Sequence, residues 1–337
     1  MNVQLIGLGN VGKNLVALIE EKQKVLESLP VSLRLISVSD SEGTAVDEKG
    51  LNLRQILKQK DAGWKGSSQY QRGYSASDSL RNMESDVVVE LSPSTPSGEP
   101  GLSHIKMALT LKKHVVTANK GPLVVAYQGL MKLANRNHVK ILYEATVAAH
   151  LPVFCLVGSC FKVDELEGLQ GILNATTNFI IGEMERGENF QDALNQARKE
   201  GWAETECSDD VDGIDAARKV VILANALFRQ DARFEDVKLK GIRGIENMVK
   251  KAQTSGKKVK LICEILRRGK NVKMSVEPKL IPLDDPLVTV SRGDMGLKFN
   301  FKTSQQVFVS AQFSGPKQTA YAVLNDILKL SSIADAC

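Results

Sequence analysis

The 337-residue sequence predicts an α/β protein, with a parallel sheet in its N-terminal part and an α+β arrangement in the remainder. Three observations predict it. A short buried strand at residues 3–6 passes directly into glycines at 7, 9 and 12; strand-like and helix-like periodicities then alternate through the first 145 residues or so; and beyond residue 250 period-2 stretches take over.

Val3-Gln4-Leu5-Ile6 reads as a short buried strand, and Leu15, Val16, Leu18 and Ile19 mark one face of the helix that follows. Between them lies Gly7-Leu8-Gly9-Asn10-Val11-Gly12, a G-x-G-x-x-G in the strand-turn-helix context of a dinucleotide-binding fingerprint. The first glycine permits the tight turn, the second lets a pyrophosphate approach the backbone, and the third lets helix pack on strand. Gly7, Gly9, Asn10, Val11 and Gly12 are therefore candidate cofactor residues; the alternative is a plain tight turn.

The next strand, Leu33 to Val38, ends at Ser39-Asp40-Ser41. An acidic residue there takes the ribose hydroxyls and repels a 2'-phosphate, which favours NAD over NADP. Asp40 stands 28 residues beyond Gly12, a long spacing, Lys49 or Arg54 could reach a phosphate, and Asp40 also reads as a turn residue before Gly43.

Asp86 to Leu91 is a buried strand opening into Ser92-Pro93-Ser94-Thr95, whose hydroxyls make Ser92 and Thr95 cofactor candidates. A helix over 102–111, a strand over 114–117, a helix over 123–134 and a strand over 139–143 complete the alternation. Such a series gives right-handed crossovers and gathers ligands at the carboxyl ends of the strands. Lys120, in Thr117-Ala118-Asn119-Lys120-Gly121-Pro122-Leu123, follows a strand at that edge and is placed to touch nicotinamide or substrate.

From Pro152 a helix leads to a strand over 163–173 and helices over 176–185 and 190–200. A dense run of carboxylates from Gly201 to Asp212 then enters a helix from 215 to about 228, on which Asp215 and Lys219 share a face. Carboxylates there can hold an ammonium or hydroxyl of a small polar substrate, and a lysine one turn on can give or take a proton. The competing reading is a solvated loop with an ordinary ion-paired helix. Period-2 stretches at 259–265, 272–276 and 307–309 add strands to a second sheet, and 318–331 is a final helix.

The length suits two domains, and 43% hydrophobic content is ordinary for a globular chain. No apolar run approaches the ~20 residues of a membrane span and no signal peptide precedes the first strand, so a cytoplasmic protein without a membrane partner is expected. Cys155, Cys160, Cys207, Cys263 and Cys337 show no C-x-x-C spacing, which argues for reduced thiols over disulfides or zinc. A net charge of +5 without a basic block makes nucleic acid a poor candidate partner, and none is expected.

On five motifs in order the sequence resembles the homoserine dehydrogenases: Gly7 to Gly12, Thr117 to Leu123, Glu144-Ala145-Thr146-Val147, Gly171 to Asn178, and Gly201 to Lys219. A weaker sixth, Ser314-Gly315-Pro316 before Thr319 to Leu324, lies near the C-terminus, while 230–310 is not diagnostic. The resemblance implies a Rossmann-type dinucleotide-binding domain over 1–147, a substrate-binding and dimerisation domain over 148–315, and a C-terminal helix over 316–337 returning to the nucleotide domain. It implies that Lys120 and Lys219 serve cofactor, substrate and proton transfer. Glu204, Asp210 and Asp215 would bind the amino group and hydroxyl of homoserine or orient the lysine, with Thr176 and Trp202 beside the substrate and Gly201 and Gly315 beside the cofactor. It further implies a sodium site from the Glu144 side chain and backbone carbonyls at Glu144, Val147, Ala149 and Leu151, and a homodimer formed through the second sheet. No regulatory domain or fused kinase fits, so feedback by threonine through one is not expected.

The implied reaction is NAD(P)-dependent interconversion of L-homoserine and L-aspartate 4-semialdehyde, in threonine and methionine biosynthesis, with hydride passing to nicotinamide C4 and a proton to a lysine. The chain departs from the family at Ala148-Ala149-His150 for Gly-Ala-Gly, Ala175 for glycine, Trp202 for tyrosine, Glu206-Cys207 for Asp-Pro, and Phe313-Ser314 for Gly-Ala. Each change adds bulk where backbone would approach a ligand. The alternative is therefore a cofactor-binding homologue that acts as a sensor or on another amino-acid-like alcohol; the retained lysines and carboxylates favour the enzyme.

Overall fold

A computed structural model describes residues 1–65 and 67–334, in two compact units; Cys337 lies outside the described residues. The first unit is Met1–His150 together with the described residues from Gly315 on. Its strands are β1 (Asn2–Ile6), β2 (Arg34–Ser39), β3 (Gly43–Val46), β4 (Tyr70–Arg72), β5 (Val87–Glu90), β6 (His114–Thr117) and β7 (Ile141–Leu142), in the order β4-β3-β2-β1-β5-β6-β7. The five from β2 to β7 are parallel and buried at their centres, mostly by apolar side chains as in strands covered on both faces, with the buried Gln4 Nε2 donating to the Ser37 hydroxyl at 3.4 Å.

β3 and β4 extend the sheet antiparallel, an addition the sequence pattern did not predict. Both are four residues or fewer, too short for a period to register.

Register decides where function can lie. Ile6 pairs with both Ser39 and Glu90, and Glu90 with Thr117, so four strands end side by side. The chain reverses its order of addition between β1 and β5, the crevice where open α/β sheets bind ligands. The C-terminal helix Pro316–Ala334 packs on Asn10–Glu21, burying Ala320, Val323, Leu324 and Ile327 in the same core as Leu15 and Val16.

The second unit, Leu151–Ser314, holds β8 (Leu166–Ile172), β9 (Val237–Leu239), β10 (Lys257–Arg268), β11 (Asn271–Pro282), β12 (Met295–Phe301) and β13 (Gln305–Ala311), ordered β13-β12-β8-β10-β11-β9. The helices Ala175–Glu185, Phe190–Lys199, Ile214–Leu227 and Glu246–Thr254 belong to this unit. The helix expected from Pro152 is only a wide turn over Leu156–Cys160 with no buried residue, and the strand expected from 163 starts at Leu166. β12 was not anticipated: its near-continuous burial erases alternation, and it includes the buried Lys298, whose ammonium pairs with Asp285 at 2.5 Å.

Among the described residues no helix is long and apolar enough to cross a membrane.

Candidate active site

In the first unit the glycine loop leaves β1 with Gly7 at φ +101°, its N–H donating to the Ser39 carbonyl at 2.9 Å. A Cβ on Gly7 would lie 2.4 Å from the Leu91 carbonyl oxygen, and one on Gly12 would lie 2.1 Å from that of Gly7. Only glycine fits either position. A Cβ on Gly9 would meet nothing within 4 Å, so that side of the loop is open beside the start of the helix Asn10–Glu21. No side chain caps this helix, and its first-turn N–H groups, including those of Asn10 and Val11, are the donors an anion needs. The cradle fits a dinucleotide pyrophosphate.

Asp40 does not offer an open carboxylate at the end of β2. Its Oδ1 accepts hydrogen bonds from the Tyr70 hydroxyl (2.7 Å) and the N–H groups of Glu42 (2.9 Å) and Gly43 (3.1 Å). Its Oδ2 accepts from Lys60 Nζ (2.6 Å) and Trp64 Nε1 (2.7 Å). Five donors of the chain itself occupy the roughly four acceptor positions of this carboxylate, in place of the open acceptor expected at the end of β2. Burial opposes its ionisation, but Lys60, Tyr70, Trp64 and the backbone together bring its pKa down to about 2.

At the end of β5, fully buried Glu90 accepts hydrogen bonds from the Ser92 N–H (3.1 Å), the Ser92 hydroxyl and Asn119 Nδ2 (3.1 Å). Asn119 also caps the helix Lys120–Arg136, accepting from the Gly121 N–H at 3.1 Å, and so fixes where half-buried Lys120 begins. Thr95 donates to the Glu99 carbonyl at 2.7 Å. Ser92, Thr95 and Lys120 were legible as site candidates, whereas Glu90 and Asn119 were not singled out. The available signal was a carboxylate closing an otherwise apolar strand, which must have partners once buried.

In the second unit Lys219 is 9% exposed, and its Nζ donates to the Leu173 carbonyl (2.5 Å) and lies 2.8 Å from Asp215 Oδ2. Asn174, buried, donates through Nδ2 to Asp210 Oδ1 (2.6 Å) and Asp215 Oδ2 (3.1 Å), while its Oδ1 accepts from the Thr177 N–H (2.9 Å). Burial first and the neighbouring Asp215 second push the Asp210 carboxyl above its ordinary range. Asn174 was missed as a site residue although it lies in the Gly171–Asn178 motif.

Thr176 donates to the Trp202 carbonyl at 2.6 Å, and the Trp202 indole stacks on Phe179 at 5.9 Å between centroids. Glu204 stands exposed in the loop, apart from this hydrogen-bonded group. Gly201 (φ +80°) needs glycine for its conformation, as does Gly315 (φ +140°) in the first unit. A Cβ on either meets no atom within 4 Å.

At the expected sodium position Glu144 is buried, its N–H donating to Asp326 Oδ2 at 2.8 Å. Lys329 Nζ lies 3.5 Å from Glu144 Oε2 and 2.9 Å from Asp326 Oδ1. The carboxylate assigned to sodium thus already faces an ammonium of its own chain, and this arrangement does not fit a bare metal ion. Val147 and Ala149 are buried in the first unit, Ala149 at φ +51°, while Leu151 opens the second. His150 Nδ1 is buried with no hydrogen-bond partner among the described residues.

Two family models match the chain: "Homoserine dehydrogenase, NAD binding domain" over residues 7–144 and "Homoserine dehydrogenase" over 152–328. The homoserine dehydrogenase of Methanocaldococcus jannaschii is 34% identical, with 98% of each chain covered. The chain belongs to the homoserine dehydrogenase family. It is thereby an oxidoreductase with a nicotinamide dinucleotide-binding domain. The NAD(+)-dependent homoserine dehydrogenase of Pseudomonas canavaninivorans is 33% identical, covering 98% of this chain and 96% of its own. A homoserine dehydrogenase of a hyperthermophilic archaeon, solved in complex with NADPH, superposes with a TM-score of 0.83 at 26% identity, covering 97% and 96% of the two chains.

Proposed function

We propose that this chain interconverts L-homoserine and L-aspartate 4-semialdehyde using NAD or NADP, with Lys219 as the group that accepts and returns the substrate proton. The observation that carries the reading is the Lys219 ammonium held between Asp215 (2.8 Å) and the Leu173 carbonyl (2.5 Å) on a buried helix face. When bound, the dinucleotide supplies the hydride acceptor or donor. In its neutral amine form Lys219 takes the hydroxyl proton during oxidation, becoming the ammonium, and in the ammonium form it gives that proton to the aldehyde oxygen during reduction. Asp215 keeps the amine aimed, and Asn174 bridges Asp215 and Asp210 by donating to both.

Asp210, partly shielded and only partly neutralised by Asn174, attracts the substrate ammonium, with Glu204 as an outer carboxylate and Thr176 and Trp202 forming a wall. Gly7 to Gly12 receive the pyrophosphate. Ser92, Thr95 and Lys120 serve the nicotinamide end, and Gly201 and Gly315, whose backbone conformations require glycine, are assigned to the cofactor in the same reading. Sodium is not retained in this reading, because Lys329 supplies the positive charge at Glu144.

The domain roles follow the same division: 1–147 binds dinucleotide, 148–315 binds substrate and pairs two copies, and 316–337 completes the first. The edge strand β13, with half-buried Val307, Phe308 and Val309, supports pairing of two copies. The protein works in the cytoplasm in threonine and methionine biosynthesis, with a small-molecule substrate and no nucleic-acid or membrane partner.

The test follows reduced nicotinamide absorbance with homoserine and each dinucleotide in both directions. Turnover of homoserine that Lys219→Ala abolishes is the expected result. Binding of dinucleotide without turnover of homoserine would overturn the reading in favour of a sensor.

A further inference from the structure

We infer that Lys260, remote in sequence from the acidic loop, is a positioning residue that fixes the Trp202 wall of the substrate subsite. The inference rests on the reading above that Trp202 borders the substrate. Lys260 lies on β10 and is 4% exposed. Its Nζ donates to Asn178 Oδ1 at 2.9 Å and to the Val290 carbonyl at 2.7 Å. Asn178, itself 1% exposed, reaches the same segment through Nδ2, toward the carbonyls of Val290 (3.4 Å) and Asp294 (3.3 Å).

Both ends of the segment 290–294 are therefore tied to one buried pair. Between the tied ends sits Gly293. A Cβ there would lie 1.9 Å from Trp202 Cζ3 and 2.4 Å from Cη2, so the indole lies directly against the Gly293 backbone. The other side of the ring stacks near Phe179, and the Trp202 carbonyl is held by Thr176. Asn178, Phe179 and Thr176 all belong to the helix Ala175–Glu185, whose N-cap Asn174 holds Asp210 and Asp215. One helix thus joins the carboxylates, the indole wall and, through Lys260, the segment behind that wall.

A buried ammonium is a costly way to hold two oxygens. Burial pushes Lys260 down to about 8, with Glu185 and Asp294 opposing and Lys258 reinforcing that shift. A neutral side chain would fill the same space. What an ammonium adds is three donors on one atom, able to hold a side-chain oxygen and a backbone oxygen in fixed relation.

The experiment uses the full chain carrying Trp64→Phe, which leaves Trp202 as the single tryptophan of the two in the sequence. In this background Lys260→Met removes the donors while keeping the stem, and Gly293→Ala pushes on the indole from the segment itself. Each should shift the Trp202 emission maximum without substrate and raise the KM for homoserine about tenfold, with the dinucleotide KM unchanged and kcat within a few-fold.

If Lys260→Met does not fold, Lys260→Gln in the same background takes its place, while Gly293→Ala reports only on the contact between the segment and the indole. Unchanged emission in the folded variants overturns the inference, as does altered emission with an unaltered homoserine KM. A parent chain inert toward homoserine would sink the functional reading instead, and Trp202 emission would then decide whether Lys260 holds the wall.

Discussion

Lys219 Nζ lies 2.8 Å from Asp215 Oδ2, and the two share one face of the helix Ile214–Leu227 at a spacing of four residues. Lys219 is buried and Asp215 half-buried beside Leu173 and Asn174, so the pair is neither a fully exposed ion pair nor a lone buried charge. Its amine has a fixed direction, which is what a proton-transfer group requires.

Lys219→Ala should accordingly lower kcat by about 10²-fold or more in both directions. Lys219→Arg should not restore it, because a guanidinium does not release its proton. Single-turnover rates with saturating dinucleotide check this. Near-normal rates in Lys219→Ala would transfer the role to another group.

Asp210 gives a test of opposite sign in stability and activity. Its carboxyl is raised in the fold, by burial and then by Asp215, so the native chain holds that proton more tightly than the unfolded chain does. Stability therefore falls as pH rises from the unfolded carboxyl range through the folded value, and the deficit persists at neutral pH. Asp210→Asn should raise stability at neutral pH by about 0.5–2 kcal/mol while lowering kcat/KM for homoserine. Thermal melts across pH should show the advantage shrinking in acid; an Asp210→Asn chain that is both less stable and fully active would contradict the assignment.

Asp40 and Lys60 bear on cofactor choice. With its charge matched by Lys60 at 2.6 Å, Asp40 repels a 2'-phosphate only weakly, and the kcat/KM ratio for NAD against NADP should lie within about tenfold, roughly 1.4 kcal/mol. Lys60→Met should shift that ratio toward NAD, since the carboxylate is then unbalanced. The same residue predicts an acid transition. Its depressed carboxyl contributes stability above the unfolded value of 3.8, lost as pH falls through about 2. An unchanged cofactor ratio in Lys60→Met would show that Asp40 does not face the adenosine end.

Lys329 predicts indifference to sodium. Melting in sodium chloride and in choline chloride at equal ionic strength should give the same Tm, because Glu144 and Asp326 already share an ammonium. Lys329→Met should acquire a sodium-dependent rise in Tm, as a carboxylate pair left without its cation binds one from solution. A sodium-dependent Tm in the unaltered chain that Lys329→Met leaves unchanged would refute the substitution of lysine for metal.

By itself the sequence determined the elements whose signals are local. The glycine loop of residues 7–12 follows from backbone conformation and close approach, which glycine alone tolerates, and the Asp215–Lys219 pair follows from helical spacing. The parallel strands β5 and β6 were legible because burial on both faces favours apolar runs, and β1, which carries Gln4, because it leads directly into the glycine loop. Tertiary structure decided everything that depends on a partner distant in the chain. Whether Asp40 meets a ribose or Lys60, Trp64 and Tyr70 depends on where the 60–70 segment folds back, and no residue near Asp40 encodes that. Glu144 faces Lys329, 185 positions away in the sequence, only because the last helix packs on the first unit. Lys260 and Asn178 meet only because β10 lies behind the helix Ala175–Glu185. A carboxylate or an ammonium carries its charge in the sequence, but whether that charge is spent on a ligand or on the protein is set by which groups packing leaves within hydrogen-bonding reach.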